Sequence, residues 1–404
     1  MRRNGHPVGQ AFFRPAAMPL SSADTLAQIR ALIAQPSVSC TDPAFDQGNR
    51  AVIDRLADWL DGYGFSVQVL DVAPAKANLL ATLGDSVTAG EGLVLAGHTD
   101  TVPFDLERWS SDPFTAREKE GRIYGLGSCD MKGFFPLAMA AALSFDAKTL
   151  RRPLTILATA DEESSMSGAK QLLAAGLRPG RFAVIGEPTG LKPIRMHKGV
   201  MMESIRITGQ AGHSSNPELG ANAIEGMQLV LAELLRWRAE LQSRYRNPAF
   251  QVAFPTLNFG SIHGGDNPNR ICPHCEMQID IRPLPGMSLT ELRDAMAARL
   301  QAALGALPRL QLQTTPLFDG LEPFEAPADS VLVRECRDLT GSEAGAVAFG
   351  TEAPILSRLG METVVLGPGD IDQAHQADEF LSLDRIEPMI RILRGLIQRF
   401  CVAA

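Results

Sequence analysis

Short apolar runs alternate with segments of helical periodicity between residues 92 and 186, and this alternation constrains the fold more than any other feature. The runs are GLVLAG (92–97), PLTILATA (153–160) and FAVIG (182–186), with helical patterns near 133–144 and 167–175. Apolar runs of this length, bounded by turn residues, are typical of buried strands. The pattern predicts an α/β domain with a largely parallel sheet. Two helices should precede it, one with Asp24 at its head and one over 46–63.

The period of the apolar residues changes after Lys198. Strand-like MESIRITGQ, PTLNFGSI, MQIDIRPL and LQLQTT combine with helical patterns near 221–245 and 289–303 in the order βαββαβ. That order is typical of a ferredoxin-like insert. The α/β character resumes at AVAFG (346–350) and TVVLGPG (363–369), before a last helix over 384–400. We therefore predict an N-terminal extension (1–20), a catalytic domain in two parts (21–196 and 316–404) and a lid between them (197–315).

Composition excludes several classes of protein. The formal charge is −8 and no segment concentrates Lys and Arg, so we expect no nucleic-acid partner. No membrane partner is expected, because no window approaches the roughly 18 apolar residues of a membrane span and residues 1–19 lack the apolar centre of a signal peptide. Six scattered cysteines favour a reducing compartment, which indicates the cytoplasm. Cys272 and Cys275 lack a second CxxC pair, so no structural zinc is expected there.

Histidine and acidic residues follow the predicted strands, where open α/β sheets form their ligand crevice. In GHTDTVP (97–103), His98 is a candidate metal ligand and Asp100 a candidate partner for its other ring nitrogen; a solvated loop is the alternative. The glycine-rich segment GLGSCDMKG (125–133) could place Asp130 to bridge two ions. This segment lacks the GxGxxG and Walker spacings, which argues against phosphate binding.

Three adjacent carboxylates follow the strand PLTILATA, namely Asp161, Glu162 and Glu163. They repel one another and need protons, cations or a metal ion to offset that repulsion. Glu187 and His375 complete the set; each would be unremarkable alone, but their joint placement favours a metal site. A cysteine hydrolase that uses Cys129 is an alternative, without a nearby histidine in its support.

Taken together, these segments resemble the M20 family of di-zinc peptidases and amidohydrolases. The resemblance runs in order from about Asp24 to the C-terminus. It is carried by GHTDTVP (97–103), YGLGSCDMKGF (124–134), DEE (161–163), GEPT (186–189), GQAGHSSNP (209–217), GGDNPNRIC (264–272), DIRPLPG (280–286), GTEAP (350–354) and AHQADE (374–379). It implies a zinc-exopeptidase-like catalytic domain with a mixed sheet, interrupted by a ferredoxin-like lid that also serves dimerisation.

The family pattern implies two divalent metal ions. His98, Asp130 and Glu187 would hold one ion, and Asp130 would bridge to the other, held by Glu163 and His375. An imidazole and carboxylate set suits zinc or cobalt, whereas an all-oxygen set would favour magnesium or calcium.

The resemblance also assigns catalytic roles outside the ligand set. Asp100 would orient His98, and Glu162 would be the general base that takes a proton from water. His213 of the lid would reach the active site of the partner subunit in a homodimer and donate a hydrogen bond to the oxyanion.

Three further residues would bind the substrate, a small N-acyl amino acid. Asn269 and Arg282 would hold its carboxylate, which suits the planar fork of arginine. Glu352 would favour a cationic or polar nitrogen, unless it caps a helix. The expected reaction is hydrolysis of N2-acetyl-L-ornithine; N-acetylcitrulline, N-succinyl-diaminopimelate and general N-acyl amino acids are alternative substrates. A protein that keeps this fold but lacks catalytic activity is an alternative from a different class. Measurements of metal content and of the hydrolysis of any acyl amino acid would distinguish it from an enzyme.

Overall fold

The computed structural model describes residues 20–84 and 90–403. The helices are α1 (Ser22–Ile33), α2 (Arg50–Gly62), α3 (Phe134–Ala142), α4 (Ser167–Ala174), α5 (Ala223–Arg244), α6 (Leu289–Ala303), α7 (Val331–Thr340), α8 (Ala353–Arg358) and α9 (Ile386–Ile397). The strands are β1 (Ser66–Ala73), β2 (Lys76–Leu83), β3 (Leu93–His98), β4 (Arg117–Lys119), β5 (Arg122–Tyr124), β6 (Leu154–Thr159), β7 (Phe182–Ile185), β8 (Ile194–His197), β9 (Met201–Thr208), β10 (Thr256–Gly264), β11 (His274–Arg282), β12 (Gln311–Pro316), β13 (Phe324–Glu325), β14 (Gly345–Val347), β15 (Glu362–Val365) and β16 (Phe380–Ser382). The extension predicted over 1–20 lies outside the described residues, except for Leu20.

The chain divides into two compact units. The first contains Met1–Ala160, Pro179–Phe182 and Asp372–Ala404, and the second contains Asp161–Arg178 and Ala183–Ile371. The domain boundaries at 196/197 and 315/316 stay a prediction. Within the described residues, every helix is too short or too polar to cross a membrane.

In the first unit, strands run in the order β1-β2-β6-β3. β1 pairs with β2 and β2 with β6 in antiparallel register, whereas β3 and β6 are parallel. The expectation of a largely parallel sheet is therefore wrong here, and the mixed sheet implied by the family resemblance is confirmed. All six residues of both β3 and β6 are buried, as their uninterrupted apolar sequences require.

Helix α3 is buried on every side. Its sequence FFPLAMAAA contains no charged residue, and a helix that is apolar all round belongs in a core. α1 and α9 both pack against it. Gly133 comes immediately before α3 and three residues after Asp130.

Helix α1 begins one turn earlier than its sequence pattern indicated. Ser21 is the N-cap, and its side chain and that of Asp24 form a reciprocal capping box. Asp24 therefore lies inside the first turn instead of at the head of the helix. Ser21 has the shorter side chain and can fold back onto the backbone N–H of Asp24, which leaves Asp24 free to bond the backbone N–H of Ser21.

In the second unit, β8 lies at the centre of a mixed group of strands. It pairs with β13 and β15 in antiparallel register and with β14 in parallel register. The helices α4, α7 and α8 also belong to this unit.

The predicted βαββαβ insert is confirmed. Its four strands form an antiparallel sheet in the order β10-β11-β9-β12, which is the ferredoxin-like arrangement. α5 and α6 contribute Trp237, Leu234 and Met296 to a core shared with Ile205 and Ile279 of the strands. We call this part of the chain the lid.

Candidate metal centre

His98 ends the buried strand β3 and is itself almost fully buried. Its Nδ1 lies 3.0 Å from the backbone oxygen of Asp100, while the nearest Asp100 carboxylate oxygen is 3.8 Å away. The orienting contact expected of the Asp100 carboxylate is therefore made at hydrogen-bond distance by the Asp100 carbonyl. A carbonyl only accepts, so Nδ1 carries the proton and the lone pair of a neutral imidazole is on Nε2.

Asp130 lies between two imidazoles. Its Oδ1 is 3.1 Å from Nε2 of His98, and its Oδ2 is 3.5 Å from Nε2 of His375. Burial opposes ionisation of Asp130, but hydrogen bonds from the His375 and His98 rings in their protonated form outweigh it, and the pKa of Asp130 lies below its usual range. Each oxygen of one carboxylate thus faces a different histidine, as a bridging ligand requires.

His375 is held differently from His98. Its backbone has a φ of 58°, in the left-handed region that costs a residue with a side chain about 1–3 kcal/mol. Its side chain is 52% exposed and borders a cavity of about 170 Å³ that Phe104 and Trp109 also line. Such strain and exposure are typical of a functional position rather than a packed core residue.

The donor set fits divalent metal ions. The Nε2 lone pair of neutral His98 points at an anionic oxygen, and only a cation or a proton between them makes that approach favourable. Ligand atoms each about 2.0–2.1 Å from one zinc ion stand roughly 2.9–3.6 Å apart for angles of 90–120°. Both measured nitrogen to oxygen distances, 3.1 and 3.5 Å, fall in that range. His98, Asp130 and His375 therefore form a candidate metal site.

Two buried charged residues beside Asp130 had no role in the sequence analysis. Burial lowers the pKa of Lys132 to about 7, although the negative charges of Glu379 and Asp100 act to raise it. Burial and the charge of Asp130 raise the pKa of Glu379 to about 8, although hydrogen bonds from three backbone N–H groups act to lower it. The available signal was their place in the motifs, two residues after Asp130 and four after His375.

The adjacent carboxylates 161–163 divide into two kinds. The carbonyl of Asp161 accepts from the backbone N–H of Ser165 at 3.1 Å, and its carboxylate accepts from Ser167 Oγ at 2.6 Å. Asp161 thus has a structural role in a turn. Glu162 and Glu163 are half-buried, and Glu187 is buried. A carboxylate oxygen of Glu162 lies within 4.8 Å of one from Glu187.

In the lid, His213 is exposed and its ring is fixed by its own turn. Its Nδ1 accepts from the backbone N–H of Ser215 at 3.2 Å and lies 2.8 Å from Ser215 Oγ. Because Nδ1 is an acceptor, Nε2 of the neutral ring carries the proton. His213 therefore presents an N–H donor.

Asn269 lies beside His213, but Arg282 lies elsewhere. The backbone N–H of Ser214 donates to the carbonyl of Asn269 at 3.0 Å, whereas Arg282 is the last residue of β11, beyond a strand that begins at His274. The eight steps between its nine residues, at about 3.4 Å each, make β11 roughly 27 Å from end to end. Within one chain, Asn269 and Arg282 are not brought together. Arg282 Nε instead donates to Asp280 at 3.0 Å.

Glu352 is fully buried at the N-cap position of α8, yet its side chain makes no capping hydrogen bond. Thr351 caps instead, since its Oγ1 accepts from the backbone N–H of Ala353 at 3.1 Å. The helix-cap alternative for Glu352 is therefore wrong. His197, at the end of β8, is buried near this segment, and burial lowers its pKa to about 4 against bonds to the carbonyls of Lys198 and Thr351.

Comparison with known proteins agrees with this geometry. Residues 94–399 match the sequence model of peptidase family M20/M25/M40. A relative, acetylornithine deacetylase of Proteus mirabilis (strain HI4320), is 50% identical over 377 residues, which cover 93% of this chain and 96% of that protein. The chain belongs to peptidase family M20/M25/M40.

Solved structures show the same fold. An M20 family metallo-carboxypeptidase from Sulfolobus solfataricus superposes with a TM-score of 0.71 at 16% identity, covering 93% of this chain and 98% of that one. The YXEP protein of Bacillus subtilis, described as a dinuclear metal binding peptidase, gives 0.65 at 15% identity over 93% and 97%. The predicted fold class is confirmed. With the family and the candidate metal site established, the chain is a metal-dependent amidohydrolase.

Proposed function

We propose that the protein hydrolyses N2-acetyl-L-ornithine to L-ornithine and acetate. The observation that carries the chemistry is the Asp130 carboxylate, whose two oxygens face the Nε2 atoms of His98 and His375. The choice of substrate rests on the 50% identity to an acetylornithine deacetylase over 93% of the chain. The product would enter arginine biosynthesis.

The proposed ligands are those that the family pattern assigns. His98, Asp130 and Glu187 would hold one ion, and Asp130, Glu163 and His375 the other. Zinc or cobalt suits this mixture of imidazole and carboxylate donors. The carbonyl of Asp100 supports the assignment of His98, because it holds Nδ1 protonated and leaves Nε2 as the donor atom.

When bound, such ions lower the pKa of a water molecule and stabilise negative charge on the amide oxygen. Glu162 takes a proton from the attacking water as the bond from water oxygen to acyl carbon forms. It then gives that proton to the nitrogen as the carbon–nitrogen bond breaks, so acetate and a free amine leave. The half-buried side chain of Glu162 lies near the carboxylate of Glu187, one of the proposed ligands, which supports a place for Glu162 beside the bound ions.

We further propose a homodimer formed through the lid. The roughly 27 Å length of β11, which lies between Asn269 and Arg282, supports it. If both residues serve one substrate carboxylate, Asn269 must come from a second subunit. His213 would come with it, because Ser214 bonds Asn269, and its outward Nε2–H suits a donor to the oxyanion.

Glu352 would select a substrate with a cationic side chain. It is fully buried, and capping of α8 does not account for it, since Thr351 fills that role. A buried carboxylate favours a cationic partner strongly. The ornithine ammonium carries a positive charge that a carboxylate attracts, whereas the ureido group of citrulline is neutral.

We place the protein in the cytoplasm. Support comes from its six cysteines, all within the described residues, none of which forms a disulfide.

The decisive experiment compares initial rates on N-acetylornithine, N-acetylcitrulline and N-succinyl-diaminopimelate. Metal-stripped protein is measured beside protein reloaded with zinc or cobalt. We expect N-acetylornithine to be hydrolysed fastest, and only after reloading. Preference for either rival substrate would move the function to another acyl amino acid. Failure to hydrolyse any of the three while metal is bound would refute the proposed activity.

A further inference from the structure

Glu379 is buried, and its side chain accepts three backbone hydrogen bonds from the segment around Asp130. Its Oε1 accepts from the backbone N–H of Cys129 at 2.7 Å and of Asp130 at 3.0 Å. Its Oε2 accepts from the backbone N–H of Gly127 at 3.1 Å. Both oxygens of one carboxylate are therefore used to hold the segment 127–130.

The main chain of Glu379 adds a hydrogen bond two residues before that segment. Its carbonyl accepts from the backbone N–H of Gly125 at 3.0 Å. Glu379 lies only four residues after His375, so one residue ties the segment that carries His375 to the segment that carries Asp130. The contact of 3.5 Å between the His375 and Asp130 side chains depends on the relative placement of these two segments.

Burial and the charge of Asp130 raise the pKa of Glu379, but the three N–H groups favour its carboxylate form. A carboxylate accepts at two oxygens and donates at neither, so it matches three N–H groups that converge on it. Glutamine would replace one oxygen with an NH2 group, which would meet a backbone N–H as a second donor. At least one buried N–H would then lose its partner and stay unsatisfied.

We propose that Glu379 is a positioning residue that fixes the distance between Asp130 and His375 and thereby sets the metal affinity of the centre. This inference rests on the proposed metal-dependent function. It concerns Glu379 alone, which does not belong to the predicted ligand set.

The test measures metal affinity instead of turnover. Metal-stripped protein is titrated with zinc against a chelator and with cobalt, whose visible spectrum reports the ligand geometry. Glu379→Gln should weaken binding by about 10–100-fold, the usual effect of losing a partner that orients a ligand, and should change the cobalt spectrum. Binding within twofold of the parent protein, with an unchanged spectrum, would overturn the proposal.

Glu203→Gln is the matched control. Glu203 is an equally buried glutamate on the lid strand β9, paired with Arg293 at 2.7 Å. Both variants should lower the melting temperature, but only Glu379→Gln should lose metal affinity. An equal loss of affinity in Glu203→Gln would reduce the effect to general destabilisation and refute a positioning role.

A second variant covers the case in which Glu379→Gln does not fold. Glu379→Asp keeps the charge but is one methylene shorter, so it cannot reach all three N–H groups, and it too should bind metal more weakly. Affinity equal to the parent would count against the proposal. If the parent protein itself binds no metal, the proposed function fails and this inference with it; if the parent binds metal and both variants match it, only the inference fails.

Discussion

Replacing Gly133 with alanine is expected to damage the metal centre without touching a ligand. Gly133 has a φ of −59°, an ordinary helical value, so alanine meets no conformational penalty there. The added Cβ would instead lie 2.2 Å from the backbone oxygen of Ser128. Carbon and oxygen atoms normally pack at roughly 3.3–3.6 Å. The segment 128–133 must therefore open by about 1 Å.

The displaced carbonyl is only two residues from Asp130. A misplacement of 1 Å can reduce catalysis by about 10²-fold, equivalent to about 2.7 kcal/mol of transition-state stabilisation. We expect kcat/KM of metal-reloaded Gly133→Ala to fall by roughly that factor on N-acetylornithine. The melting temperature should also fall, because α3 and its neighbours are tightly packed.

Gly62→Ala provides the comparison. Gly62 ends α2, and a Cβ added there meets no atom within 4 Å. Alanine is the better helix former, so this variant should keep its full rate and melt at the same or a higher temperature. If Gly133→Ala retains kcat/KM within a factor of two of the parent, the segment 128–133 accommodates the added Cβ without moving Asp130. The 2.2 Å contact with Ser128 then does not control the metal centre.

Three further predictions concern single side chains. Glu162→Gln should lower kcat by about 10²–10⁴-fold while the metal content stays unchanged, and a near-normal rate would exclude Glu162 as the base. Glu352→Gln should raise the rate ratio of N-acetylcitrulline to N-acetylornithine, and an unaltered ratio would remove Glu352 from specificity. The pKa of His197 is about 4 in the folded state and 6.5 in the unfolded state. Between pH 6.5 and pH 4, the unfolded state therefore binds more protons than the folded state. About 3 kcal/mol of stability should be lost from pH 6.5 to pH 4, and denaturant unfolding of His197→Gln should show a shallower decline; an identical pH slope would contradict this account.

The lid was predictable because its signals are local. Each of its strands and helices has its own apolar period, and α6 begins and ends where the sequence pattern indicated. The order βαββαβ then restricts the topology to few choices. The directions of strands elsewhere were not predictable in this way. β1 and β2 form a hairpin that pairs with β6, and an apolar run such as KANLLATL does not specify the direction of its neighbour.

Part of the candidate site was predictable, because open α/β sheets place their ligand crevice beyond the carboxyl ends of their strands. His98 ends the buried strand β3, as that rule requires, whereas Asp130 lies in the glycine-rich segment after the short strand β5; the two side chains do meet. The role of Glu379 depends on burial of one carboxylate and on three backbone donors, none of which has a sequence signature. The separation of Asn269 from Arg282 was missed for another reason: spacing along the chain does not tell which end of β11 each residue occupies.

The bonds that Glu379 makes also fix when the centre can be completed during synthesis. The backbone N–H groups that it accepts from lie 249–252 residues upstream of it. At a ribosomal rate of about 5–20 residues per second, the Asp130 segment emerges roughly 12–50 s before its partner. A nascent or C-terminally truncated chain can therefore form β3 and β6 but not the buried carboxylate contacts around Asp130. Loss of a short C-terminal piece would remove the centre while most of the polypeptide is still present.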